Sequence, residues 1–83
     1  MNLNDLKSGE TAIITKLDTL IYGYERLKEL GLTIGTKIKV VRYSPFNDPV
    51  IINVRGCDIC IRVQVAKKIG VKVIEENLFN RKS

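Results

Sequence analysis

Short segments in which apolar and polar residues alternate make up most of this chain, and they predict about five β-strands. These segments cover residues 10–17, 36–43, 50–55, 59–63 and 71–73. The alternation breaks at Val40-Val41, which predicts a β-bulge in the second strand. Because strands this short would leave long exposed edges in an open sheet, we expect the sheet to close into a small barrel.

One segment between the first two strands has helical periodicity instead. Its apolar positions recur at spacings of four and three: Leu20, Tyr24, Leu27 and Leu30. Gly31 follows the last of them, where a left-handed residue ends many helices. A shorter helical turn is expected near Ala66, before the last strand.

The periodic apolar positions of separate elements predict one hydrophobic core, as expected for a single domain of 83 residues. The positions expected to be buried are Leu27, Leu30, Ile38, Val40, Ile52, Val54, Ile61 and Ile69. A domain this small has room for one thin core and a shallow surface site, which excludes a large catalytic cleft between two lobes.

The charge balance changes the range of partners to consider. Fourteen Lys and Arg residues stand against nine Asp and Glu residues, so the formal net charge is +5. This balance suits nucleic acid or an acidic protein surface, although the basic residues are spread along the chain. The absence of histidine removes the commonest general base and the commonest metal ligand.

No apolar run approaches the ~20 residues needed to span a bilayer, and the first ten residues lack the apolar stretch of a signal peptide. A cytoplasmic location is therefore expected.

A set of short motifs occurs in a characteristic order along the chain. The motifs are Leu3-x-x-Leu6-Lys7-x-Gly9-Glu10, Leu30-Gly31-Leu32-x-x-Gly35, Ile38-x-Val40, Ser44-Pro45-x-x-Asp48-Pro49, Val54-Arg55-Gly56, and Ile59-x-Ile61-Arg62-x-x-x-Ala66-x-x-Ile69. Their order over residues 3 to 75 resembles the FeoA family, ferrous iron transport protein A. No single motif is specific, and the resemblance rests on the ordered set.

The resemblance implies a mainly β fold, a small SH3-like barrel of about five strands with one inserted α-helix and a short helical turn. Residues 1–76 would form this FeoA-like domain, and residues 77–83 a disordered tail. The expected protein is a small cytoplasmic accessory or regulatory protein of ferrous iron uptake. It is not an enzyme and carries no cofactor.

The partner implied by the resemblance is a FeoB-type membrane transporter with a GTPase domain. Contact would be made through its cytoplasmic G-protein domain or its membrane-proximal region, and this partner would recruit the protein to the membrane. The chain departs from the family pattern at Ile34, where a proline is common, and in the aromatic stretch Tyr22-Gly23-Tyr24. The loss of that proline removes only the preset φ of the turn. Cys57 and Cys60 also depart from the pattern, and we expect them and the aromatic stretch to affect partner choice rather than fold.

Two other functions are open at this point. A basic SH3-like barrel can bind nucleic acid, although no specific nucleic acid is expected without a recognition helix or a tight basic cluster. Cys57 and Cys60 have metal-ligand spacing and suggest a small metal or redox protein. Since two thiolates do not complete a tetrahedral site, that function would need a turn at residues 57–59 or a weak homodimer that pools four thiolates.

The residues expected to bind the partner are Tyr22, Tyr24 and Arg26 at the start of the helix, with Phe46 on the long loop as a second candidate. Aromatic residues and arginine are enriched at the energetic centres of interfaces. The barrel could close without the helix, so the helix is expected to do more than pack against the core.

Overall fold

The computed structural model describes residues 1–74, and five strands in this part form one antiparallel sheet. The strands are β1 (Thr11–Leu17), β2 (Lys37–Tyr43), β3 (Val50–Val54), β4 (Cys57–Ile61) and β5 (Ile69–Val73). Their order across the sheet is β4-β3-β2-β1-β5. The predicted strand number and mainly β class are therefore confirmed.

Three short helical elements connect or precede the strands. Helix α1 (Tyr24–Glu29) lies between β1 and β2, helix α2 (Val63–Ala66) lies between β4 and β5, and a 3₁₀ helix (Leu3–Asp5) precedes β1. The inserted helix and the short helical turn match the prediction. No helix within residues 1–74 has the length and apolar character needed to cross a membrane.

The inward faces of the strands meet in one core. The predicted core positions are buried with the exception of Leu30, which is 37% exposed. Leu32 is fully buried in its place, because Gly31 has a positive φ of 97° and turns the chain back, so that the Leu32 N–H donates to the Leu27 carbonyl.

The helix is shorter than the apolar stripe predicts. It begins at Tyr24, because Gly23 adopts a left-handed conformation with φ 82° at the N-cap. Leu20 lies outside the helix, in a turn where the Asp18 carboxylate accepts from the Leu20 N–H. Its neighbour Ile21 is buried instead, so placing Leu20 on the buried face of the helix was wrong.

Two β-bulges shift the strand pairing. One lies between Val40 and Arg42 in β2, where the sequence predicts it. The other lies between Ile14 and Lys16 in β1, and the pattern of apolar residues did not reveal it. A bulge adds one residue to one strand, so the side chains beyond it change face.

The two edge strands of the sheet are β4 and β5, and residues from the start of the chain pair with β5. At β5, Gly70 forms a bridge with Asn2, and the Val71 N–H donates to the Met1 carbonyl at 3.0 Å. At the opposite edge, β4 pairs with β3 through the Arg55-Gly56 turn. The predicted tail at residues 77–83 lies outside the described residues.

Candidate partner-binding surface

The exposed apolar side chains of the described chain are concentrated between β1 and β2. Leu20 is 87% exposed, Tyr22 is 94% exposed and Ile34 is 66% exposed. These three residues and Leu30 lie within residues 18–36, the segment that connects β1 to β2. We call this segment the excursion, because the chain leaves the sheet after β1 and returns to it at β2. Such a group of exposed apolar side chains is typical of a contact surface.

The local turns of the excursion explain why these side chains face solvent. Ile21 is buried and its N–H donates to the Asp18 carbonyl, so its neighbours Leu20 and Tyr22 are turned outward. At the other end, the hydroxyls of Thr33 and Thr36 lie 2.9 Å apart and close a turn that leaves Ile34 exposed. The exposure of Leu20, Tyr22 and Ile34 therefore follows from hydrogen bonds within the excursion.

Tyr24 and Arg26 lie on α1 and differ in exposure. Tyr24 is half-buried against the core, and the Lys28 Nζ lies 5.5 Å from the centre of its ring. Lys28 also pairs with Glu25 at 3.6 Å. Arg26 is exposed to solvent. The start of α1 therefore offers an aromatic ring edge beside charges of both signs.

Phe46 lies on the loop between β2 and β3, and its side chain is 92% exposed. Hydrogen bonds hold the loop, since the Ser44 N–H donates to the Pro49 carbonyl and the Asn47 N–H donates to the Ser44 carbonyl. Asp48 fixes the loop to α2 by accepting from the Val63 N–H at 3.1 Å. The loop backbone is thus held in place at Phe46, and the phenyl ring extends into solvent.

The C-terminal end of α1 and the Phe46 loop lie at opposite ends of the β2–β3 hairpin. Tyr43 pairs with Val50 at the Phe46 end. At the other end, Gly31 lies beside Val54, with 3.7 Å between an ideal Cβ at Gly31 and the Val54 Cγ1. A five-residue strand is about 16 Å long. The structure therefore groups Tyr22, Tyr24 and Arg26 in the excursion and leaves Phe46 apart.

Sequence reasoning missed the exposure of Leu20, Leu30 and Ile34. Leu20 and Leu30 fit a helical stripe, and that fit assigned them to the core. The signal that could have corrected this is Gly23, since a glycine inside a short apolar stripe favours a helix end.

Cys57 and Cys60 lie on β4, and both are exposed free thiols. The turn at residues 57–59 that chelation by one chain requires is absent, because these residues form a strand. Side chains three positions apart on a strand point to opposite faces, so one chain does not present both thiolates to one ion. Within residues 1–74 no group of three or more His, Cys, Asp or Glu side chains is placed to hold a metal ion.

The described part of the chain matches a known family model over nearly its whole length. Residues 1–73 match the model of the FeoA domain. The chain belongs to the FeoA family. The family resemblance inferred from the ordered motifs is confirmed.

Two curated relatives cover most of the chain. A protein of Methanocaldococcus jannaschii named putative Fe(2+) transport protein A is 40% identical over 76 residues, which are 92% of this chain and 90% of that protein. A Porphyromonas gingivalis protein named Fe(2+) transport protein A/Fe(2+) transporter FeoB fusion protein is 31% identical over 77 residues. The matched part is 93% of this chain and 9% of the fusion protein.

Solved structures of FeoA proteins share the fold. The FeoA protein of Chlorobium tepidum superposes with a TM-score of 0.84 at 35% identity, covering 90% of this chain and 71% of that one. FeoA of Stenotrophomonas maltophilia gives a TM-score of 0.70 at 25% identity, covering 87% of this chain and 89% of that one. The latter was solved with zinc and is described as a prokaryotic SH3 domain protein, so the SH3-like fold class is confirmed.

Proposed function

We propose that this protein is a cytoplasmic accessory protein of ferrous iron uptake that binds the cytoplasmic part of a FeoB-type transporter and regulates it. The observation that carries the proposal is the Porphyromonas gingivalis relative, in which a FeoA-like segment and a FeoB transporter are fused in one chain. Covalent linkage gives two modules a high effective concentration, which is useful when they work as a unit. Binding between the two modules would give the same association without a covalent link.

A binding role, rather than catalysis, fits the chemistry of the surface. The sequence has no histidine and no phosphate-binding loop, and the structure offers shallow surfaces lined by residues of mixed character. The protein would act on its partner by contact, through the G-protein domain or the membrane-proximal region.

We assign the contact to the excursion. Tyr22 and Leu20 supply exposed apolar area, and Arg26 supplies a cation that can donate several hydrogen bonds. Tyrosine and arginine are enriched among residues that dominate binding energy. Phe46 would serve as a separate contact, because it projects from the other end of the hairpin.

Isothermal titration of the protein with the purified cytoplasmic domain of the FeoB transporter from the same organism tests the proposal. Tyr22→Ala combined with Arg26→Ala is expected to weaken binding by about 30-fold or more, the loss expected when a hot spot worth ~2 kcal/mol is removed. Both side chains are exposed, so the circular dichroism spectrum and the melting temperature should stay those of wild type.

Phe46→Ala is the comparison variant, since it removes an equally exposed aromatic ring that belongs to the second candidate contact, and it is expected to weaken binding less than the excursion variant does. Weaker binding for Phe46→Ala with no change for the excursion variant would place the contact at the loop. Absence of binding between the wild-type protein and the transporter domain would contradict the proposed function.

A further inference from the structure

The sheet has an outward face whose residues can be identified from the strand register. Directly paired residues of an antiparallel ladder point to the same face. Ile13 pairs with Lys37 on one side and Lys72 on the other, and Thr11 pairs with Lys39. These residues therefore lie on the face opposite the buried Ala12 and Ile14.

The two β-bulges bring further cations to this same face. Beyond the bulge in β1, Lys16 pairs with Gly70, which lies two residues from Lys72 and so shares its face. Beyond the bulge in β2, Arg42 pairs with Ile51. Ile51 lies two residues from Asn53, which pairs with Lys39, so Arg42 and Lys39 lie on the same face. Without the bulges, Lys16 and Arg42 would point to the other side of the sheet.

The result is a basic face on the three adjacent strands β5, β1 and β2. The half-buried Ile13 and the buried Ile51 also lie on this face. Its cations are all exposed: Lys16, Lys37, Lys39, Arg42 and Lys72. The carboxylate of Asp58 points to the same side from the edge strand β4, where it accepts a hydrogen bond from the Asn53 side-chain amide.

The spacing of these cations makes the face a two-dimensional array. Lys37 and Lys39 are two residues apart on one strand, which separates their Cα atoms by about 7 Å. Lys37 and Lys72 lie two strands apart, which separates them by about 10 Å. The face carries four lysines to one arginine, and its paired positions on β5, β1 and β2 include no aromatic residue.

We propose that this basic face lies against the anionic phospholipid head groups of the membrane that holds the transporter. The inference rests on the proposed function, which places the protein beside a membrane-embedded partner. Lysine acts as a point charge without the bidentate geometry of arginine, so an array of lysines suits a diffuse anionic surface. Basic segments near a membrane are attracted to anionic lipid by about 1 kcal/mol per Lys or Arg.

The composition of the face favours lipid over the other anionic partners. Protein interfaces are depleted in lysine and enriched in aromatic residues, which is the reverse of this face. Proteins that bind single-stranded nucleic acid combine a basic groove with stacking aromatic residues, and those that read duplexes insert a helix or ribbon into a groove. The basic face is a sheet surface without either feature.

Co-sedimentation of the full chain with vesicles tests the proposal. The wild-type protein is expected to bind vesicles of mixed phosphatidylcholine and phosphatidylglycerol and not vesicles of phosphatidylcholine alone, and binding should weaken as salt is raised. The triple variant Lys16→Gln/Lys39→Gln/Lys72→Gln is expected to lose affinity for the anionic vesicles on the order of 100-fold.

The matched control is Lys7→Gln/Lys67→Gln/Lys68→Gln, which removes the same charge from exposed positions outside the strands β5, β1 and β2. It is expected to lose much less affinity than the face variant. An equal loss in both variants, or failure of the wild-type protein to bind anionic vesicles, would overturn the proposal. So would binding of the wild-type protein to a DNA duplex in the same buffer with no binding to the vesicles.

Lysine acetylation of the wild-type protein gives a second test that requires no variant to fold. Anionic vesicles should protect Lys16, Lys39 and Lys72 from the reagent and leave Lys67 and Lys68 reactive, whereas uniform reactivity would contradict the proposal. Titration with the lipid-free transporter domain separates this inference from the proposed function. The face variant should bind that domain like wild type, even when it no longer binds vesicles.

Discussion

Tyr43 ties the strand β2 to the start of the chain. Its hydroxyl donates to the Leu6 carbonyl at 2.5 Å and lies 3.2 Å from the Asn4 carbonyl. Burial raises the pKa of this hydroxyl, and the Asp5 and Glu10 carboxylates raise it further. The neutral form is therefore favoured in the folded state, since a phenolate has no hydrogen to donate and would face two negative charges.

The first prediction concerns the stability of the protein at high pH. An unfolded tyrosine ionises near pH 10, so the free energy of unfolding should decline as pH rises from about 10 through the raised pKa of Tyr43. Tyr43→Phe should cost about 1 kcal/mol at neutral pH through the lost hydrogen bond, and the gap to wild type should narrow at high pH. Urea unfolding at a series of pH values measures both quantities, and a constant gap would contradict the assignment.

Gly70 has no room for a side chain. A Cβ at this position would lie 2.8 Å from the Lys16 Cβ and 3.3 Å from the Thr15 hydroxyl, because the β1 bulge presses against β5. The clash involves a Cβ fixed to the backbone, so it cannot be relieved by turning the end of a side chain.

The second prediction is that Gly70→Ala lowers the free energy of unfolding by about 1–3 kcal/mol, as expected for overpacking. Lys16→Gly removes the Lys16 Cβ, which is the closest atom to the new methyl group. The double variant Lys16→Gly/Gly70→Ala should therefore be more stable than the sum of the two single effects predicts. Chemical denaturation of the four proteins measures this coupling. Strict additivity would show that the two residues do not press on one another.

At the scale of an element, the excursion is held by a few buried anchors. Ile21, Leu27 and Leu32 are buried, and the residues on both sides of Ile21 and of Leu27 face solvent. The anchors fix the backbone, which leaves the exposed Leu20, Tyr22 and Ile34 available for contact.

The third prediction distinguishes the buried anchors of the excursion from its exposed side chains. Leu32→Ala should lower the free energy of unfolding by about 2–5 kcal/mol, because it leaves a cavity in the core. Leu30→Ala removes a side chain that is 37% exposed and should cost less than about 1 kcal/mol. Thermal melting of the two variants compares them, and the opposite ranking would show that the helix ends elsewhere.

Strand β4 carries both thiols of the chain at a surface-exposed edge. The fourth prediction is that both thiols react with a thiol reagent in the native state as completely as they do in denaturant. Cys57→Ser/Cys60→Ser should change the free energy of unfolding by less than about 0.5 kcal/mol, since exposed side chains contribute little. A zinc-dependent dimer that disappears in this variant would instead support a shared metal site.

At the scale of the whole molecule, the N-terminal residues complete both the core and the sheet. Leu3 and Leu6 are buried in the main core. The Gly9 N–H donates to the Val40 carbonyl, and Met1 covers the edge of β5. The start of the chain is therefore part of the folded domain.

The fifth prediction follows from this arrangement. Deleting residues 1–8 removes two core leucines, each worth about 2–5 kcal/mol, from a domain whose total stability is of the order of 5–15 kcal/mol. The truncated chain should be largely unfolded by circular dichroism and amide exchange. Ending the chain after Glu76 tests the boundary predicted from the sequence, and that variant should melt like wild type.

Local patterns in the sequence predicted the strands, the inserted helix and a central part of the core. The period of two along residues 36–43 and 50–54 requires one buried face, and Gly31 and Gly35 supply the positive φ values, 97° and 93°, that their turns require. These features depend on neighbours in the chain, so they can be predicted locally. The ordered motifs also identified the family.

Only the tertiary structure decided which distant residues share a surface. Lys16, Arg42 and Lys72 are scattered in the sequence, and their positions on one face depend on two bulges and on the pairing of β1 with both β2 and β5. The same holds for Tyr22 and Phe46, which share aromatic character but lie in different loops, Tyr22 between β1 and α1 and Phe46 between β2 and β3. The break in alternation at Val40-Val41 predicted the β2 bulge, but the register of the strands and the β1 bulge arise from contacts between strands, and no pattern within a single strand revealed them.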